Sequence, residues 1–112
     1  MPAYIVAHTM VHDPDGYLAS EYRTVLQQLF EKYQCTPIAV GLYEHLEGNE
    51  LGPVTVIDRF PDLETARAFW NDPEYQRIIP IRQQFSDAHV VLLDGALHPT
   101  AAPGASEAGG PN

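Results

Sequence analysis

Two Asp-Pro pairs, Asp13-Pro14 and Asp72-Pro73, constrain this chain more than any other feature. An aspartate at the N-cap accepts a hydrogen bond from the free amides of a first helical turn, and a proline at the next position has no N–H to leave unpaired. Each pair therefore predicts a helix start. Ala3 to Val11 is rich in β-branched and aromatic residues and stops at His12-Asp13-Pro14-Asp15-Gly16, which reads as a strand and then a break. Leu18, Tyr22, Val25, Leu26, Leu29, Phe30 and Tyr33 then recur at steps of three and four, the apolar stripe of one long helix.

Pro37 to Leu46 reads as a second strand, with Ile38, Val40, Leu42, Glu44 and Leu46 on one face. Glu47-Gly48-Asn49-Glu50 is a turn. Val54 to Phe60 is a third strand, with Val54, Val56, Asp58 and Phe60 on one face. Pro61-Asp62 ends it and caps a short helix that turns Leu63, Ala66, Phe69 and Trp70 inward. Past Asp72-Pro73 the helical pattern continues through Tyr75, Ile78, Ile79, Arg82 and Phe85, with Pro80 expected to kink or shorten it. Ala88 to Leu93 is the last strand, closed by Asp94-Gly95.

The order is strand, helix, strand, twice over, with the second helix split. It predicts an α+β, ferredoxin-like βαββαβ sandwich: a four-stranded antiparallel sheet with helices on one face. Tyr4, Val6 and Met10 alternate with Ile5 and Val11, and Val91 and Leu93 with Val90 and Leu92, so both faces of the sheet carry large apolar groups. The uncovered face needs a partner, and a homodimer packed sheet to sheet with twofold symmetry is expected.

At 112 residues the chain is one domain, expected over residues 1–97. From His98 to Asn112 there is no large apolar residue, and this tail is expected to be disordered. Six Lys and Arg against 15 Asp and Glu give a formal charge of −9, which argues against nucleic-acid binding and against an anionic membrane surface. No basic stretch followed by an apolar run opens the chain, so a cytoplasmic location is expected. The single cysteine, Cys35, excludes an internal disulfide, and neither His8 with His12 nor His45 with Glu47 makes a three-ligand set, so no metal site is expected. The chain carries no Gly-rich phosphate loop and no dinucleotide fingerprint, so no cofactor is expected.

The chain resembles the domain of unknown function 1330 family of the dimeric α/β-barrel superfamily, over about residues 3–96. The resemblance is carried by Tyr4-Ile5-Val6-Ala7, Asp13-Pro14 through Glu21-Tyr22-Arg23, Leu46-Glu47-Gly48 and Asp58-Arg59-Phe60-Pro61. Ala68-Phe69-Trp70-Asn71-Asp72-Pro73-Glu74-Tyr75-Gln76, Arg82 and Val91-Leu92-Leu93-Asp94-Gly95 complete it, the Asp-Pro-Glu-Tyr-Gln run being the most specific piece. The chain departs from the family pattern twice. Gln34-Cys35 stands where relatives have a glycine pair, and Ala39-Val40-Gly41-Leu42 lacks their strand arginine. The resemblance implies the fold and the dimer. Its superfamily includes cofactor-independent monooxygenases, cyclases, lactone isomerases, decarboxylases and heme-degrading enzymes, an analogy at the level of fold.

Polar residues inside apolar strands are the informative ones, because burying them is costly unless they serve a purpose. His8 is either a general base or a histidine satisfied by a neighbour. Asp58, set among apolar groups, is either an acid–base group with a raised pKa or one half of an ion pair with Arg82 or Arg23. Glu44 admits the same two readings. Arg82 on an inward helix face either binds an anion or pairs with Asp58. Tyr22, Phe69, Trp70 and Tyr75 line a pocket wall or are plain core. The resulting expectation is a small cofactor-independent enzyme acting on an apolar, aromatic or polyketide-like small molecule by proton transfer: cyclisation, isomerisation or lactone opening. His8, Asp58 and Arg82 are its catalytic candidates. Tyr22, Glu44, Phe69, Trp70 and Tyr75 are its substrate-binding candidates. A non-catalytic dimeric ligand-binding or stress-associated module, and a monooxygenase or heme-binding relative, are the competing readings.

Overall fold

The computed structural model describes residues 1–95, and the expected tail from His98 onward lies outside the described residues. The elements are β1 (Ala3–Val11), α1 (Pro14–Ala19), α2 (Glu21–Lys32), β2 (Thr36–Leu42), β3 (Val54–Phe60), α3 (Leu63–Asn71), α4 (Pro73–Phe85) and β4 (Ser86–Asp94). The strands form one antiparallel sheet in the order β2-β3-β1-β4, the split βαβ arrangement of a ferredoxin-like fold.

Aspartates start three of the helices as the sequence predicts. Asp13 accepts from the Gly16 amide at 3.0 Å, Asp62 from Thr65 at 2.7 Å and Asp72 from Glu74 at 2.7 Å. The expected single first helix is instead two. Ser20 is extended (φ −79°, ψ 159°), and its amide and hydroxyl both return to the Tyr17 carbonyl. That competing hydrogen bond ends α1, and the turn it forces swings Leu18 outward to 56% exposure. The second strand ends at Leu42, not Leu46. The Tyr43 amide still reaches the Pro53 carbonyl at 3.4 Å, and the Tyr43 hydroxyl accepts from the Leu51 amide and donates to the Leu51 carbonyl at 3.0 Å each, which closes the 43–51 loop. Glu44 and Leu46 are therefore exposed loop residues. Pro80 does not shorten α4, whose buried side continues past it from Tyr75 and Ile78 to Arg82. Gln34 takes a left-handed φ of 56° after α2, the conformation that glycine adopts without strain.

The register fixes the two faces. Ala3, Ile5, Ala7 and Thr9 stand opposite Phe60, Asp58, Val56 and Val54, and this side meets the helices. Tyr4, Val6 and His8, paired with Arg59, Ile57 and Thr55, lie on the open side with Val91 and Leu93. The core is gathered on Phe69, whose ring stands 4.5 Å from Tyr75, 5.1 Å from Phe60 and 5.7 Å from Phe30. Among the described residues no helix is long and apolar enough to cross a membrane.

Candidate functional site

Helices α1, α2 and α4 do not close fully on the sheet. They leave a cavity of about 110 Å³ against the helix-facing side of β1 and β3. Tyr17, Tyr22, Phe30, Phe69 and Tyr75 supply aromatic walls, Ile5, Ala7, Val56 and Val90 supply its sheet floor, and Asp58 and Arg82 are its charged groups. A cavity near 150 Å³ takes up one benzene ring, so this one is on the scale of a small ring.

Asp58 reaches the cavity because period-two alternation places it between Val56 and Phe60 on the helix side of β3. Its Oδ1 is buried without a hydrogen-bond partner. Desolvation pushes its pKa from the ordinary carboxylate value up to about 6. Arg82 comes from the inward face of α4, is 9% exposed, and its Nε is buried without an acceptor. The guanidinium lies 5.9 Å from the Tyr22 ring centre. Of the two readings of Asp58, the ion pair with Arg82 or Arg23 does not form: among the described residues neither cation lies within ion-pair distance of the carboxylate. Inward faces of a strand and a helix can share a cavity without touching, and here they do. Asp58 is half-buried and Arg82 buried, and one polar atom of each is desolvated without a partner on the same cavity, a cost that ordinary packing does not repay.

The phenols complete the site. Tyr22 and Tyr75 bring their hydroxyls to 3.3 Å. Burial, followed by the neighbouring Tyr75, drives the Tyr22 pKa far up, and burial raises Tyr75 and Tyr17 as well. All three stay protonated; one hydroxyl of the Tyr22–Tyr75 pair spends its proton on the other, which leaves the second of the pair and Tyr17 free to donate. Tyr17 is the member the sequence reading missed. It is off the helical stripe drawn through Leu18, and only the break at Ser20 turns it inward. Cys35 is half-buried, and its thiol is pushed up to about 12, first by burial and then by the charge of Asp58. It is no nucleophile in that state.

Of the expected site residues, Asp58, Arg82, Tyr22, Phe69 and Tyr75 meet in this cavity. Trp70 packs on Tyr75 from outside, ring centres 5.3 Å apart, and lines the neighbouring groove instead. His8 is on the opposite side of the sheet. Its Nδ1 is 2.9 Å from the Thr55 hydroxyl, and its ring meets Tyr43 edge to face at 5.7 Å. Glu44 is exposed beside it, in a shallow hollow of the 43–51 loop. The two cannot share a substrate with Asp58 and Arg82 within one subunit. Among the described residues no three His, Cys, Asp or Glu side chains are placed to hold a metal ion.

The family described as Domain of unknown function (DUF1330) matches residues 2–96, and the chain belongs to it. No curated protein matches the chain. Solved structures share the fold, three of them as follows. A protein of unknown function from Rhodopseudomonas palustris is 18% identical, with a TM-score of 0.64 over 83% of this chain and 81% of that one. SnoaB from Streptomyces nogalater, a cofactor-independent oxygenase, is 13% identical, with a TM-score of 0.59 over 84% of this chain and 92% of its own. A dimeric ferredoxin-like protein of unknown function from Bacteroides fragilis is 11% identical, with a TM-score of 0.50 over 83% and 95%.

Proposed function

We propose that this chain is a small-molecule enzyme that moves a proton to and from Asp58 without an organic cofactor. The observation that carries the reading is the unpaired, desolvated carboxylate of Asp58 in an aromatic cavity that also holds an unpaired Arg82. A carboxylate with a pKa near 6 is ionised at neutral pH yet basic enough to take a proton from an activated C–H or O–H. The bond pair left on the substrate becomes an enolate or phenolate. Arg82 and the one phenol of the Tyr22–Tyr75 pair whose proton is free offset that charge in a water-poor setting, where such interactions are strongest. The protonated Asp58 then returns the proton to another carbon or oxygen. Isomerisation follows from that exchange alone. Ring closure follows when the enolate carbon attacks a carbonyl of the same substrate and protonated Asp58 gives its proton to the resulting alkoxide. A lactone opens when the enolate expels its β-oxygen as a carboxylate, with Phe69 as a wall of the cavity.

The test is hydrogen–deuterium exchange beside the carbonyl of small cyclic ketones, followed by NMR in deuterium oxide. Wild-type protein should accelerate exchange and Asp58→Asn should not. Equal rates with the two proteins end the reading. SnoaB, a cofactor-independent oxygenase, shares this fold, so oxygenation is the competing reading. Oxygen uptake with an electron-rich phenol separates the two.

The open side of the sheet supports a homodimer as part of the same proposal. Met10, Val91 and Leu93 are 46%, 60% and 53% exposed there, a patch that a second copy would cover. Light scattering should give twice the subunit mass, and a monomer would count against the dimer alone, because the cavity is complete within one subunit.

A further inference from the structure

Arg82 lines two spaces at once. One is the cavity; the other is a groove of about 500 Å³ between the C-terminal part of α4 and the start of β4, lined by Trp70, Gln83 and Ser86 among others. Val90 is the other residue common to both linings, so the two spaces are neighbours across one arginine and one valine. The two compartments differ in character. The cavity is aromatic, while the groove gathers Arg82, Gln83, Ser86 and Asp87 beside Trp70 and Ile79.

Of the groove's polar side chains, Ser86 and Asp87 have protein partners, Gln83 is exposed to water, and Arg82 is buried. Ser86 donates its hydroxyl proton to the Arg82 carbonyl at 3.0 Å. Asp87 is taken by His12 at 2.9 Å. Arg82 has no carboxylate or carbonyl partner among the described residues, although nine-tenths of the side chain is buried. Its Nε is desolvated without an acceptor and its guanidinium faces the Tyr22 ring, so an incoming anion would gain a charge-assisted partner there. The chain's net charge of −9 supplies no general attraction for anions, so the pairing must be local.

We propose that the groove at Arg82 is a carboxylate subsite, and that the substrate is a carboxylate-bearing carbonyl compound with one small ring. The ring enters the cavity against Asp58, and the carboxylate stays on the groove side of Arg82. This rests on the proton-transfer reading of the cavity and names the substrate class for it. The planar fork of a guanidinium suits a carboxylate better than a single oxygen does.

The chain has one tryptophan, Trp70, which lines this groove and also the one beside Arg67 and Asn71, so an emission change counts for the Arg82 groove only where Arg82→Met abolishes it. The probes are 3-oxocyclopentanecarboxylate and its neutral carboxamide, titrated into the full chain by calorimetry and by Trp70 emission. The carboxylate should bind about 10- to 100-fold more tightly than the amide, the range of a charge-assisted pair over a neutral one, and should shift Trp70 emission. Arg82→Met should remove the preference while leaving weak amide binding, and Arg82→Lys should restore part of it. Equal affinities in wild type overturn the proposal. So does a preference that survives Arg82→Met, or carboxylate binding that leaves Trp70 emission unchanged. Should Arg82→Met fail to fold, the two wild-type titrations decide alone. The two readings fail separately. Loss of the base leaves the carboxylate preference without exchange; loss of the subsite leaves exchange of neutral ketones without any preference.

Discussion

Asp58 and Asp72 are carboxylates set against the same helical layer, and their surroundings pull them in opposite directions. Asp72 ends α3 and starts α4. It accepts from the Tyr33 hydroxyl at 2.6 Å, the Glu74 amide at 2.7 Å and the Lys32 ammonium at 3.1 Å. The Tyr33 hydrogen bond leads the shift that holds its pKa down to about 2, against the pull of desolvation. Asp58 has nothing to accept from, and desolvation alone moves it up to about 6. Where donors surround the charge, burial serves the fold. Where they are missing, burial leaves a group that gains by taking a proton, the kind of perturbed group that is concentrated at functional sites.

The largest expected effect breaks the comparison at its reactive end. Asp58→Asn keeps the shape and removes the base, so exchange of a cyclic ketone should fall by about 100- to 10,000-fold. The wild-type rate should rise with pH as the carboxylate ionises through about 6 and level off above it. A flat profile across that window would make Asp58 a bystander.

Asp72→Ala acts at the other end. It removes the α4 cap together with the Tyr33 and Lys32 contacts, and should cost about 2–3 kcal/mol in urea unfolding. Exchange per folded molecule should not change. The sign of its pH dependence follows from the lowered pKa. Its stabilisation is full above the ordinary carboxylate value and is lost as pH falls towards about 2. Asp72→Asn should flatten the stability curve across that acid window.

Much of this contrast was legible in the sequence, and the gaps have physical causes. Asp72-Pro73 announces a cap because the pairing is local, and the cap forms. Asp58 among Val54, Val56 and Phe60 announces a carboxylate in an apolar register, and Arg82 on an inward helical step announces a buried cation. Whether those two touch depends on the distance between a strand and a helix, which no spacing along the chain encodes. His8 was misleading for a related reason. Both alternation registers of β1 are apolar, so periodicity could not say which one meets the helices. The break at Ser20 was invisible because Leu18 and Tyr22 keep the four-residue step across it, and Tyr17 was lost with it. Glu44 was misplaced because alternation persists beyond Leu42, while the Tyr43 hydroxyl takes the backbone of Leu51 and closes the 43–51 loop.

The same contrast predicts a gain. A carboxyl whose folded pKa lies above its unfolded one adds stability only below the unfolded value, and that stability is lost as pH rises through about 6. Ionised Asp58 is therefore a burden at neutral pH. An upward displacement of roughly 2 pH units is worth about 3 kcal/mol at full burial, and discounting for the part of the side chain that still meets water leaves about 1–2 kcal/mol. Asp58→Asn should raise the unfolding free energy by that amount at pH 8 and by almost nothing at pH 4. The variant that loses turnover would then be the more stable protein, the reverse of Asp72→Ala.

Tyr22→Phe should give the smallest effect and sharpens the question of what offsets the substrate's charge. The Tyr22–Tyr75 hydroxyl pair is long at 3.3 Å, and Tyr75 keeps its own donor, so stability should change by less than about 1 kcal/mol. If Arg82 carries most of the enolate charge, exchange should fall by less than about tenfold, because one neutral donor is lost and the cation remains. If the phenols carry it, the loss should approach the 100-fold typical of removing an oxyanion donor. Arg82→Met read beside Tyr22→Phe on a neutral ketone settles the ranking. A larger loss for Tyr22→Phe would make Arg82 chiefly a binding group for the carboxylate and leave proton transfer to Asp58 and the two phenols.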